Sequence, residues 1–260
     1  MTDRQAIFIT GGASGIGLAT AKLFAHRGWV IGIADTNTAA LATTGIADAA
    51  TYEMDVRDRD AWRAALDDFA ARAGRVDVLF NNAGIGLGGP LAAADFDDID
   101  RVVAINFMGV LNGARIGHAY LRATPGSCLL NTASASAIYG SAGLAAYSAT
   151  KFAVRALTEA LDGEWAADGI KVRDIVPAFI ETPLLDGRPA GSNRTIRDTV
   201  RDAGLELTPV ETVAEAAWRA VHGDAVHTYV GKTAERMRFA ARWMPGRLRN
   251  MMRRGAIARE

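Results

Sequence analysis

A single cysteine, no apolar run long enough to span a bilayer, no excess of either charge and no repeat or linker mark this chain by what it lacks. Cys128 has no partner for an internal bridge. It lies in the apolar run Ser127–Asn131, with no helix start or basic neighbour to activate it, and reads as a buried strand residue rather than a reactive thiol. The first apolar run, Ala6–Thr10, is too short for a signal peptide and leads straight into a glycine-rich turn. No stretch approaches the ~18 apolar residues of a membrane-spanning helix, so a cytoplasmic protein is expected. Lys plus Arg and Asp plus Glu are equal at 29 each, which argues against a nucleic-acid role for the body of the chain. His26, His118, His222 and His227 show no metal-ligand spacing, and no metal is expected. Half of the 260 residues are hydrophobic, enough to build a core without disulfide or metal.

Short β-rich runs alternate with longer helical patterns. Strands are expected at Ala6–Thr10, Trp29–Ala34, Thr51–Met54, Val76–Asn81, Ser127–Thr132, Ile170–Val176 and, more weakly, Val226–Val230. Most are continuously apolar, as in a parallel sheet covered on both faces. Helices are expected at Gly15–Arg27, Asp58–Arg72, Asp97–Leu121, Ala146–Ala167 and Val210–His222. The steady alternation predicts a single doubly wound α/β domain over residues 1–260 with a mainly parallel, seven-stranded sheet. The segment from Leu184 to about Thr208 has no clear secondary structure. It follows a strand end, where open α/β sheets bind ligands, and is expected to be a substrate lid.

Thr10-Gly-Gly-Ala-Ser-Gly-Ile-Gly17 joins the first strand to the first helix. Glycines there let the backbone turn tightly and approach a pyrophosphate, whose charge meets the free amides of the helix start. Gly11, Ser14, Gly15, Ile16 and Gly17 are therefore expected to hold a dinucleotide. Asp35 ends the second strand, eighteen positions after Gly17. An acid at that place accepts from the adenine-ribose hydroxyls and repels a 2′-phosphate. Thr36, Asn37 and the glycine loop carry no positive charge, so NAD is preferred to NADP. Tyr147 and Lys151, four residues apart, project from one helix face. A phenol is a poor base at neutral pH, but an adjacent ammonium and a cationic nicotinamide favour its phenolate and bring proton exchange with a substrate hydroxyl within reach.

With Asp55-Val56, Asn81-Asn-Ala-Gly84, Asn106, Ser134 and the run Pro177–Thr182, these motifs occur in the order found in the short-chain dehydrogenase/reductase family. The chain resembles that family's compact single-domain branch over about residues 6–183. The resemblance implies a Rossmann-type fold with helices on both sheet faces and a hydride transfer between NAD and a secondary alcohol or ketone. Tyr147 is then the general acid/base, Lys151 lowers its pKa and binds the nicotinamide ribose, and Ser134 holds the substrate oxygen. Asn106 would hold a water in a proton relay with Lys151. Asp55 and Val56 would contact the adenine, while Asn82, Ala83 and Gly84 line the adenosine side. Asn81 would be structural, and Pro177, Ile180 and Thr182 would border the carboxamide. It further implies at least a homodimer, or a homotetramer, through the helices Asp97–Leu121 and Ala146–Ala167.

Two departures stand out. Ala178 replaces the family's usual glycine after the proline and would narrow the nicotinamide end. After Tyr229-Val-Gly231 comes a tail, about residues 232–260, with nine Lys/Arg against Glu235 and Glu260, in place of a short glycine-rich ending. Thr233–Met244 can form an amphipathic helix, broken at Pro245-Gly246 and resumed from Arg247 to Arg254. Packing over the domain edge or a partner subunit is preferred for it to membrane-surface contact. Ser136, Ile138, Leu144, Phe179, Leu184 and Leu185 suggest an apolar substrate wall, whereas Arg188, Arg194, Arg197 and Arg201 read as a solvated face. A non-catalytic dinucleotide-binding sensor is the alternative function. A sugar-nucleotide epimerase or dehydratase shares Tyr-x-x-x-Lys but is disfavoured by chain length and glycine spacing.

Overall fold

The computed structural model describes residues 4–189 and 193–253, so Ala190–Ser192 of the expected lid and the tail beyond Arg253 lie outside the described residues. Seven parallel strands form one sheet: β1 (Ala6–Thr10), β2 (Val30–Asp35), β3 (Ala50–Glu53), β4 (Val78–Asn81), β5 (Cys128–Thr132), β6 (Lys171–Pro177) and β7 (His227–Val230). Their order is β3-β2-β1-β4-β5-β6-β7, every neighbouring pair parallel. All seven expected strands are present, with ends moved by one or two residues.

The central strands are mostly apolar and buried at nearly every position because both of their faces are covered. Alternate side chains of β1 point to opposite faces. Ile7 and Ile9 join Phe24 of α1 (Gly15–His26) and Val213 and Ala217 of α8 (Val210–His222) on one side. Phe8 meets Trp62, Leu66 and Phe69 of α3 (Arg59–Ala73), with Leu121 of α5 (Gly109–Arg122) and Leu161 of α6 (Ala145–Glu164), on the other. Cys128 is fully buried in β5, and burial pushes its thiol up to about 12, which leaves it inert at neutral pH.

The structure corrects two expectations. The helix expected over Asp97–Leu121 is divided into α4 (Phe96–Val103), a π-helical turn over Ala104–Met108, and α5. An extra residue in such a turn re-aims a side chain; here it carries Asn106, whose amide both donates to and accepts from the backbone of Ile85 at 2.8 Å. The segment after Leu184 is not structureless either. A 3₁₀ turn spans Pro183–Asp186, and α7 covers Ile196–Asp202 with a capping box between Thr195 and Asp198. That box satisfies two amides at the helix start. A short helix, α2 (Thr38–Leu41), was not expected. The tail forms α9 (Lys232–Trp243) and α10 (Pro245–Arg253), packed over the β7 side of the domain.

Strand order reverses between β1 and β4, so the loops leaving their carboxyl ends diverge and open a crevice. The segments after β1, β2, β3, β4, β5 and β6 all border it.

Candidate active site

The cleft at this switch point has a volume of about 560 Å³, within the usual range for small-molecule sites. Its floor begins with the glycine loop. Gly11 has φ +61°, and a Cβ there would lie 2.8 Å from the Cα of Ala83. Any side chain would thus force the loops after β1 and β4 apart. Gly17 packs so tightly that a Cβ would lie 2.3 Å from the carbonyl oxygen of Gly11. It stands behind the cleft and lets α1 abut its own loop, whereas Gly11, Ser14, Gly15 and Ile16 line the cleft. Ser14 caps α1 through an extended backbone but makes no side-chain cap, which leaves the first-turn amides of α1 for an external acceptor.

Side chains brace this loop from two directions. The Thr10 hydroxyl accepts from the amides of Asn82 and Ala83 at 3.1 and 3.2 Å. The Asn82 amide donates to the carbonyls of Thr10 and Gly11, so Asn82 borders the cleft while its side chain holds the glycine turn. Asp35 accepts from the backbone amides of Ala13 at 3.1 Å and Asn37 at 3.0 Å. One oxygen ties the loop to β2, and each keeps a lone pair for a further donor. Asp55 and Val56 border the same end. Arg57 chelates Asp55, its Nη2 2.6 Å from Oδ2, and the hydrogen-bonded guanidinium holds that carboxyl below its usual range.

The opposite end holds the chemically active groups. Ser134 follows β5, and its Oγ accepts from the amide of Ser136 at 3.2 Å. Tyr147 and Lys151 come from the first turns of α6. A buried amide chain pins that helix to the sheet: Asn81 donates to Asn131, and Asn131 to Thr158 of α6, each at 3.0 Å. Lys151 is 4% exposed, donates to the carbonyl of Thr132 at 2.8 Å and stands 5.7 Å from the centre of the Tyr147 ring. Burial alone lowers it from the ordinary 10.5 to about 8. Burial also pushes the Tyr147 hydroxyl up, with a hydrogen bond from Ser134 pulling the other way. The expected lowering calls for a cationic nicotinamide as well as the ammonium; in the protein alone desolvation prevails, disfavouring phenolate and ammonium alike.

Ala83, Gly84, Pro177, Ile180 and Thr182 line the cleft between these ends. A Cβ on Gly84 would lie 3.2 Å from Asn106 Oδ1 and 3.7 Å from Lys151 Nζ, so glycine leaves room beside the lysine. Asn106 itself is fully buried behind Gly84, with its amide committed to Ile85. Of the residues expected on the substrate wall, Leu184 and Leu185 border the cleft; Ser136, Ile138, Leu144 and Phe179 do not. Sequence reasoning missed Arg57 and Arg101, which line the Asp35 end of the cleft, and Thr132, whose carbonyl positions Lys151. Only Arg57 left a signal, two residues after Asp55.

Several charges outside the cleft are neutralised locally. Arg197 bonds Asp186 at 2.8 Å and Arg194 pairs with Asp202. His118 meets Asp168, and His227 meets Asp174 and Glu159.

A dinucleotide fits this donor set. Acid acceptors stand at one end, bare helix amides at the middle, and a hydroxyl, a phenol and an ammonium at the other. Residues 5–192 match the short chain dehydrogenase family. The meso-2,3-butanediol dehydrogenase of Serratia marcescens is 31% identical over 225 residues, covering 84% of this chain and 88% of the relative. The cis-4-hydroxycyclohexanecarboxylate dehydrogenase of Sinomonas cyclohexanicum is 35% identical over 220 residues, covering 82% and 87%. A short chain dehydrogenase/reductase from Burkholderia phymatum, solved in complex with NAD, superposes with a TM-score of 0.82 at 26% identity over 95% of each chain. The chain belongs to the short-chain dehydrogenase/reductase family and is an oxidoreductase of that nicotinamide-dinucleotide-binding family.

Proposed function

We propose that the protein interconverts a secondary alcohol and its ketone with NAD, using Tyr147 as general acid/base. The observation that carries this reading is the convergence of Ser134, Tyr147 and Lys151 at one end of a cleft whose other end carries Asp35. The bound cofactor supplies the redox chemistry by exchanging a hydride with the carbinol carbon, and its oxidised ring adds a positive charge that favours phenolate. Ser134 and Tyr147 hold the substrate oxygen between them. In oxidation the Tyr147 oxygen takes the hydroxyl proton as the carbonyl forms, and in reduction it returns that proton. Lys151, fixed by Thr132, supplies the positive charge nearest to the phenol. Asn106 supports it from behind through Ile85 and Gly84; a water held on Asn106 would complete a proton path to Lys151.

Asp35 supports NAD. Its carboxylate faces the cleft with lone pairs free, and of the two arginines at this end, Arg57 is already chelated by Asp55. Ile85, Ala178, Ile180, Leu184 and Leu185 form the walls near the reacting end, favouring an apolar substrate covered by the segment after Leu184. Arg194 and Arg197 are paired with acids, which disfavours an anionic one. The exposed Val103 of α4 and Phe152 of α6 fit at least a dimer through those helices, and light scattering giving a monomer would remove that element.

The test is a panel of secondary alcohols and ketones with NAD and NADP, followed by nicotinamide absorbance. Turnover with NAD, lost by about 10²–10⁴-fold in Tyr147→Phe with cofactor binding intact, is expected. Cofactor binding without turnover on any alcohol would favour the sensor reading instead.

A further inference from the structure

The basic tail packs by one face and leaves the other uncovered. On α9, Ala234 and Met237 are buried against Ala135, with Ile138, Tyr139, Ala178 and Tyr229 around them. On α10, Leu248 is buried and Met252 packs on the same cluster. This answers the expectation of packing over the domain edge, but it uses a single stripe. At about 100° per residue, Phe239 and Trp243 fall on the side of α9 opposite Met237. They are 58% and 66% exposed, and Met251 of α10 is 54% exposed. Large apolar groups grouped on the outer face of a surface helix mark a contact that the fold itself does not use.

The same two helices are rich in cations. Lys232–Arg253 carry seven Lys/Arg against Glu235. Among the described residues, Arg238 alone of them has a carboxylate within ion-pair distance, Glu235 at 3.7 Å. Arg242 lies over the Trp243 ring, 5.4 Å from its centre.

We propose that α9 and α10 form a docking surface for an anionic lipid bilayer, with Phe239, Trp243 and Met251 entering the headgroup–acyl boundary and the arginines meeting lipid phosphates. A bilayer surface satisfies both halves of the pattern at once, the apolar side chains and the uncompensated cations. A second copy of this chain would set the same arginines against each other across an isologous interface, where like charges repel. A nucleic acid would match the arginines but leave the exposed Met251 and Met244 without apolar cover.

The experiment uses the full chain with vesicles of phosphatidylcholine alone or mixed with phosphatidylglycerol, at low and high salt. Co-sedimentation with the anionic vesicles is expected, weakening with salt and roughly tenfold poorer on phosphatidylcholine. Emission should shift to the blue on binding. That change should disappear in Trp243→Phe, which keeps sedimenting, because Trp29, Trp62 and Trp165 are buried in the core and the half-buried Trp218 packs against Phe24 and Trp29. Phe239→Ser with Trp243→Ser should reduce binding by about tenfold or more, with nicotinamide-cofactor binding unchanged as proof of folding. Arg242→Gln and Arg249→Gln should each cost roughly fivefold. No sedimentation with anionic vesicles at low salt overturns the proposal, as does binding indifferent to the serine double variant. A halved molar mass in that variant makes the face an interface between copies, and tighter binding to duplex DNA than to vesicles makes it a nucleic-acid surface; either result also overturns it.

Discussion

Replacing Lys151 by methionine should abolish turnover and stabilise the protein. The ammonium is 4% exposed and donates to the Thr132 carbonyl. Burial lowers it from 10.5 to about 8. At about 1.4 kcal/mol for each tenfold change in proton affinity, holding this charge inside costs the folded state roughly 3 kcal/mol near neutrality. Methionine is nearly isosteric and brings no charge. It loses the hydrogen bond to Thr132 and leaves that carbonyl unpaired, a loss of about 1 kcal/mol. A net gain of roughly 2 kcal/mol at pH 7 follows, or some 4–8 °C in Tm for a chain of this size. The sign of the pH dependence is set by the depressed pKa. The folded protein releases this proton before the unfolded chain does, so the wild type recovers stability as pH rises from 8 towards 10.5. The advantage of Lys151→Met should therefore shrink to about zero by pH 10. Urea unfolding of both proteins without cofactor, at pH 7 and pH 10, measures it. A neutral or destabilising substitution at pH 7, or a gain equal at both pH values, would refute the claim that the site holds an uncompensated charge against the stability of the fold.

Three further outcomes follow from the same geometry. Tyr147 must be phenolate to take a proton and phenol to return it, so kcat/KM for alcohol oxidation should climb with pH while ketone reduction falls, with burial of the hydroxyl displacing both changes to higher pH; flat profiles in both directions would count against this phenol as the proton carrier. Asp35→Ala should improve NADP relative to NAD at least tenfold, judged by kcat/KM. It should also lower stability by about 1 kcal/mol, because the amides of Ala13 and Asn37 lose their acceptor. Gly11→Ala places a methyl 2.8 Å from Ala83 at φ +61°; a stability loss of about 1–3 kcal/mol and loss of cofactor binding by calorimetry are expected, and a neutral substitution would show the two loops free to separate.

Reading the residues in order was enough for the strands, the glycine turn, Asp35 and the Tyr147–Lys151 spacing, because each is a local pattern whose period or composition survives without knowledge of its neighbours. Strand apolarity reports coverage of both faces, and a four-residue interval reports one helix face. The capping signal Thr195-x-x-Asp198 is equally local, but the seven-residue α7 it opens is too short and polar to show an apolar period. The π-helical turn at Asn106 was not local at all, since it depends on Ile85 lying opposite to accept and donate.

Some features could be decided only by packing. The sequence by itself determined which residue types stand at strand ends and helix starts, and hence the chemistry on offer. Tertiary structure decided which of them share a space. It set Gly17 and Asn106 behind the cleft, brought Arg57 and Arg101 to its Asp35 end, and turned Ile138 towards the tail. It also decided the sign of the Tyr147 shift, because desolvation depends on every group that displaces water from the phenol, and those groups come from segments far apart along the chain.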